Sequence, residues 1–147
     1  MGEQKAIPIT RFIGRLDAAF NRNDMKSARE CICFWEAEAR RLNDERGLLA
    51  VLNEAVGYYR RTNRKTRALE AMEESLALVE RLGQTNATVF VNAATTLSFF
   101  GSKEEAIGLY GRAASCFEAE EKTECYEYAA LLNNRAATLY EMKRYDE

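Results

Sequence analysis

Residues 90–113 read FVNAATTLSFFGSKEEAIGLYGRA, two apolar stripes on either side of a turn. Phe90, Ala94 and Leu97 are spaced four and then three apart, and Ala106, Tyr110 and Ala113 repeat that interval, which puts each set on one face of an α-helix. Between them FGSK (100–103) supplies Gly101, a residue type that ends a helix in the left-handed conformation without steric cost. The stretch predicts a helical hairpin.

The same hairpin recurs in both directions. Phe12, Leu16 and Ala19 return as Leu52, Val56 and Tyr59, then as the triplet at Phe90, then as Leu132, Ala136 and Leu139. The second stripe begins as Ala28, Ile32, Trp35, Ala39 and Leu42, and returns as Ala68, Met72, Ser75, Val79 and Leu82, then as Ala106, Tyr110, Ala113 and Phe117. Both stripes give the same offsets, 40 from the first unit to the second (12 to 52, 28 to 68) and 38 to the third (52 to 90, 68 to 106). A fourth first helix lies 42 further on (90 to 132), so its partner would place an alanine at 148, one past Glu147. The chain is therefore expected to be a fragment, or to stop one helix short with an apolar flank exposed.

The remaining turns are NRND (21–24), TNRK (62–65) and MKRY (142–145). Asn23, Asn63 and Gly101 share one position and suit a left-handed residue; Lys143 is the exception, and a less sharply specified turn is expected there. Pro8 fits the first turn of the first helix. Helices are expected near 9–22, 24–43, 47–62, 64–83, 86–100, 102–120 and 124–142, in one domain (1–147) whose units span 9–46, 47–85, 86–123 and an incomplete 124–147. No strand pattern competes, so the fold class is all-α.

The large, small, aromatic and alanine positions of each unit resemble the tetratricopeptide repeat. LLNNRAATLYEMKRYDE (131–147) and SFFGSKEEAIGLYGRA (98–113) carry the resemblance most closely, and the first unit diverges most. The period near 40, against roughly 34 in the ordinary repeat, is similar to the long-helix variety found in kinesin light chains and bacterial adaptor proteins. The resemblance implies about 3.5 repeats forming a right-handed superhelical solenoid that binds a protein or peptide on the concave face of its first helices.

Fourteen residues before each second-helix alanine come Gly14, Glu54, Asn92 and Asn134, at a place where the family often carries asparagine. An inward asparagine offers a donor and an acceptor to the backbone of an extended ligand; it equally serves to tie adjacent helices. Asn53 and Asn133 lie one residue earlier, and the same count adds Asp17, Phe20, Arg60, Thr95, Ser98, Phe99 and Tyr140. Phe99 and Tyr140 are candidate anchors, although aromatics at helical spacing more often belong to a core. Family members that grip a terminal carboxylate have lysines four residues before the asparagine position and an arginine at it. Here Thr10, Ala50, Thr88 and Ala130 stand instead, so that clamp is absent.

Composition narrows the chemistry. A formal charge of −2 gives no global attraction to nucleic acid or anionic membrane, and RRTNRKTR (60–67) reads as a solvated edge without interleaved aromatics. Glu118, Glu120, Glu121, Glu124 and Glu127 make the far end acidic, which allows head-to-tail association; a homodimer closing the open end is the alternative to a peptide ligand. No apolar run reaches membrane-spanning length and MGEQKAIPIT lacks a signal-peptide core, so a cytoplasmic location with Cys31, Cys33, Cys116 and Cys125 reduced is expected. Cys31 and Cys33 are about 200° apart around a helix, which argues against a shared metal. With no histidine, the commonest general base and metal ligand is missing, and neither catalysis nor a cofactor is expected. Glu104 and Glu105 open a helix, where acids meet its dipole favourably.

The alanines Ala28, Ala68 and Ala106 are expected to set the distance between paired helices. Ala68→Leu should destabilise the fold by roughly 1–3 kcal/mol through overpacking, read from urea unfolding.

Overall fold

The computed structural model describes residues 5–83 and 86–143. Among them are seven α-helices, α1 (Ile9–Asn21), α2 (Met25–Arg41), α3 (Glu45–Arg61), α4 (Lys65–Leu82), α5 (Ala87–Phe99), α6 (Lys103–Ala119) and α7 (Tyr126–Glu141), and no strand. Each helix packs on the next in the chain, and α1, α3, α5 and α7 also touch in succession. The backbones of α2, α4 and α6 do not meet. The odd-numbered helices thus lie side by side in chain order, and α1, α3 and α5 are each backed by the even-numbered helix that follows.

The periodic stripes form the core. Phe12, Leu16 and Ala19, then Leu52, Val56 and Tyr59, then Phe90, Ala94 and Leu97 are all buried, and Ala28, Ala68 and Ala106 have no exposed surface. Ser75, the polar member of the α4 stripe, is satisfied by donating its hydroxyl to the Ala71 carbonyl at 2.8 Å. The fourth unit departs from the pattern: Leu139 is buried, whereas Leu132 and Ala136 are exposed. Their side of α7 corresponds to the side that α2, α4 and α6 cover in the earlier units, and no described element lies there.

One turn geometry closes most of the helices. After α1, α3 and α5, the residues Asn23 (φ 55°), Asn63 (φ 58°) and Gly101 (φ 96°) are left-handed, as their side chains or lack of one favour. The Asp24, Arg64 and Ser102 amides then donate to the carbonyls of Ala19, Tyr59 and Leu97, satisfying groups that the helix end leaves open. Lys143 (φ 59°) adopts the same conformation, with its amide on the Tyr140 carbonyl; the rest of that turn lies outside the described residues, as do residues 1–4, 84–85 and 144–147. Asn43 and Glu121 repeat the geometry between hairpins. Pro8 sits one residue ahead of its expected place, as the extended N-cap of α1.

Ion pairs add ties between helices, one of them between α2 and α4, whose backbones do not meet. The Arg40 guanidinium on α2 donates to both carboxylate oxygens of Glu74 on α4, at 2.8 and 2.9 Å, and to Glu36 on its own helix. Arg81 joins α4 to Glu45 of α3 at 2.9 Å, and Lys103 joins α6 to Glu141 of α7 at 2.7 Å.

The second hairpin is pinned to the first through Asp44. Its carboxylate caps α3 by accepting from the Gly47 amide at 2.9 Å and reaches the Ile7 amide at 2.8 Å. α3 therefore begins at Glu45, two residues ahead of expectation. A Cβ at Gly47 would stand 2.7 Å from both Asp44 Cγ and Ile7 Cγ1, whereas one at Gly111 meets open space. Gly47→Ala should cost about 1–3 kcal/mol, while Gly111→Ala should gain roughly 0.5–1 kcal/mol from helix propensity; paired denaturation curves compare the two signs directly.

Candidate functional site

In α3 the buried positions Val51, Leu52, Ala55, Val56, Tyr58 and Tyr59 leave Asn53, Glu54, Gly57 and Arg60 as a second stripe at helical spacing. This stripe is one wall of a cleft of about 500 Å³. Thr88, Val91, Asn92 and Thr95 of α5 form its floor, and Tyr126, Glu127, Ala130, Leu131 and Asn134 of α7 form the facing wall, with Phe117 of α6 beside them. A second cleft, also about 500 Å³, shares Glu54, Gly57 and Arg60 and continues past Phe20 of α1 to Phe99 of α5.

Polar side chains lock the α3 wall to the α5 floor. Arg60 Nη1 donates to Asn92 Oδ1 and to Thr96 Oγ1, both at 2.8 Å. Asn92 Nδ2 in turn donates to the Asn53 carbonyl at 2.7 Å and to Asn53 Oδ1 at 3.0 Å. Both N–H groups of Asn92 are thereby used within the protein. Among the described residues the Asn53 Nδ2 donor has no partner, and the Asn134 amide has none either, so these are the amides that face the cleft unspent.

The other predicted positions divide. Thr95 lines the cleft while its hydroxyl is 3.1 Å from the Tyr110 hydroxyl of α6. Phe99 is 58% exposed at the end of the second cleft and packs edge-on against Phe100, and Tyr140 is 68% exposed on α7; neither belongs to the core. Asn133 is exposed but does not line the cleft. Ser98 bridges to the Thr138 hydroxyl of α7 at 3.1 Å instead of facing a ligand. The carboxylate-clamp positions Thr88 and Ala130 do line the cleft, with side chains that carry no charge. Gly57, Val91, Tyr126 and Glu127 were not anticipated; Gly57 was legible as the residue three after Glu54 on the same face.

Two half-buried charges, Glu54 and Arg60, stand in these clefts without ion-pair partners among the described residues. Burial, and next the nearby Asp17 carboxylate, push the Glu54 carboxyl above its ordinary value. Burial pulls the half-buried Arg60 guanidinium below its own. Of the basic run, Arg61 lies over the Phe20 ring at 4.4 Å and Arg67 over Tyr59 at 5.8 Å, so these cations are engaged with aromatic faces and do not form a free stripe. No group of three or more Cys, Asp or Glu among the described residues is placed to hold a metal ion, and no helix there is long and apolar enough to cross a membrane.

No protein-family model matches the chain, and no curated protein or solved structure matches it either.

Because the folded-state pKa of Glu54 is raised, its ionisation weakens the fold: stability falls as pH rises from the ordinary carboxylate range through the raised value. Glu54→Gln should therefore melt higher than the unmodified chain at about pH 7, with the difference vanishing at about pH 3.5, below the ordinary range. Thermal melts at the two pH values give the comparison.

Proposed function

We propose that this chain is a helical-repeat scaffold of the tetratricopeptide type, its hairpins arranged as a right-handed superhelix, and that it binds an extended segment of another protein without performing chemistry. The observation that carries this reading is the cleft across α3, α5 and α7, bounded by the unspent amides of Asn53 and Asn134. Opposed amides on either side of the α5 floor fit a peptide backbone, whose N–H and C=O groups recur whatever its side chains. The supporting chemistry is also what the cleft lacks: its carboxyls, Glu54 and Glu127, have no imidazole or thiol beside them among its lining residues. Cys31 and Cys116, both held protonated by burial, fit a reducing, cytoplasmic setting.

Self-association is the second reading, favoured by the exposure on α7 of Leu132 (42%) and Tyr126 (82%). A monomer by light scattering over about a hundredfold range of concentration supports the peptide scaffold; a stable dimer that excludes peptide moves the assembly reading ahead.

Backbone amide NMR with a pool of blocked random nonapeptides should show shifts concentrated at positions 53–57, 88–95 and 130–134. Asn53→Ala should weaken binding about three- to tenfold, the worth of one or two neutral hydrogen bonds. Shifts confined to the convex side would sink the proposal.

A further inference from the structure

Arg60 differs from the arginines on the far side of the molecule. Arg40, Arg41 and Arg81 each hold a carboxylate at 2.8–2.9 Å, so their charge is already matched. The Arg60 fork is fixed through Nη1 alone, on the neutral oxygens of Asn92 and Thr96, and no described carboxylate forms an ion pair with it. Nη2 lies 3.9 Å from where a Cβ on Gly57 would be, so the second nitrogen sits over bare helix backbone at the point the two clefts share. A half-buried guanidinium whose head is oriented by neutral partners, with an edge open to a cleft, is prepared for an incoming anion: two parallel N–H groups match the two oxygens of a carboxylate. Phe20, stacked under Arg61 at 4.4 Å, and the exposed Phe99 supply apolar surface beside that edge.

Resting on the peptide-binding reading above, we infer that the groove selects a segment carrying an acidic side chain, received by the free edge of Arg60, with an apolar residue next to it along Phe20 and Phe99. Glu54 opposes this ligand. It lines both clefts, lies on the same helix as Arg60, and together with Asp17 of α1 places negative charge beside the site. In the second cleft, beside Phe20 and Phe99, Arg60 and Arg61 outnumber Glu54, and Asp17 lines neither cleft, so the acid is attracted overall but held below its full affinity. Two substitutions on one helix should accordingly move binding in opposite directions.

The test uses the whole chain and three pools of blocked nonapeptides, random except for a central Glu, Gln or Lys, followed by fluorescence anisotropy. The Glu pool should bind about tenfold more tightly than the Gln pool, the difference between a charge-assisted and a neutral hydrogen bond. Arg60→Gln should remove that preference. Since this variant also cuts ties between α3 and α5, Glu54→Gln is the second arm: it leaves those ties intact and should raise affinity for the Glu pool. Equal binding of the Glu and Gln pools, with Asn53→Ala still weakening both, overturns the inference and leaves the peptide groove standing. Preference for the Lys pool, lost in Glu54→Gln, assigns the groove to the acidic side and overturns it as well. A dimer dispersed by the Glu pool hands the site to a second copy of the chain, with the same consequence. Binding of no pool removes the groove itself.

Discussion

Everything in this fold depends on how closely the two helices of each hairpin approach. Ala28, Ala68 and Ala106 occupy the same place in three successive second helices, and each is wholly buried where its helix packs on the preceding one. A methyl group there lets backbones come together until the larger side chains of the flanking stripes interlock. Phe12, Leu52 and Phe90 on the first helices, and Ile32, Met72 and Tyr110 on the second, meet because of it. Once the second helix covers one side of its partner, and the neighbouring first helices cover two others, the first helix has one face left. The cleft residues lie on that face, so the site's position follows from the packing of small residues well away from it.

That face is polar without being loose. Arg60, Asn92, Thr96 and Asn53 form a continuous chain of hydrogen bonds between α3 and α5, and Thr96 is fully buried with its hydroxyl on the Asn92 carbonyl. Such a network fixes the spacing of the groove wall more strictly than apolar contact does, because each partner has one satisfactory geometry. It also decides which groups remain for a ligand. Asn92 holds the central place and has no N–H group left; Asn53, beside it, keeps its donor.

The helices and their order were legible because two signals agreed: a 3.6-residue period, and asparagine or glycine at a fixed place after it. Where the turn residue carries no such signature, sequence reading stopped short. Glu121 and Lys143 are left-handed although nothing in a glutamate or lysine asks for it; each closes the helix before it, α6 and α7. Leu132 and Ala136, on the flank expected to be exposed, show that a stripe records what a helix is able to bury and not what lies against it. At the site, counting back from the alanines located Glu54, Asn92 and Asn134, whose register is set by the repeat. The partnership of Arg60 with Asn92 spans 32 residues and two units, and no local pattern encodes it.

The placement of charge separates the two sides of the molecule. On the side of the even-numbered helices, cations meet carboxylates: Arg40 takes Glu36 and Glu74, and Arg81 takes Glu45. Solvent-exposed pairs of this kind contribute little each, but they leave the Arg40 and Arg81 guanidiniums already matched. In the groove the order is reversed, with Arg60 on neutral oxygens and Glu54 unpaired six positions earlier on the same helix. Both charges are partly withdrawn from water, and the shift of each pKa toward its neutral form records that withdrawal as an energetic cost. A charge held this way gains more from a complementary ligand than an exposed one does, since much of its desolvation is already complete before the ligand arrives. On the proposed peptide-binding reading, the groove is thus where a partner's charge should change binding most, and the side of the even-numbered helices where it should change binding least.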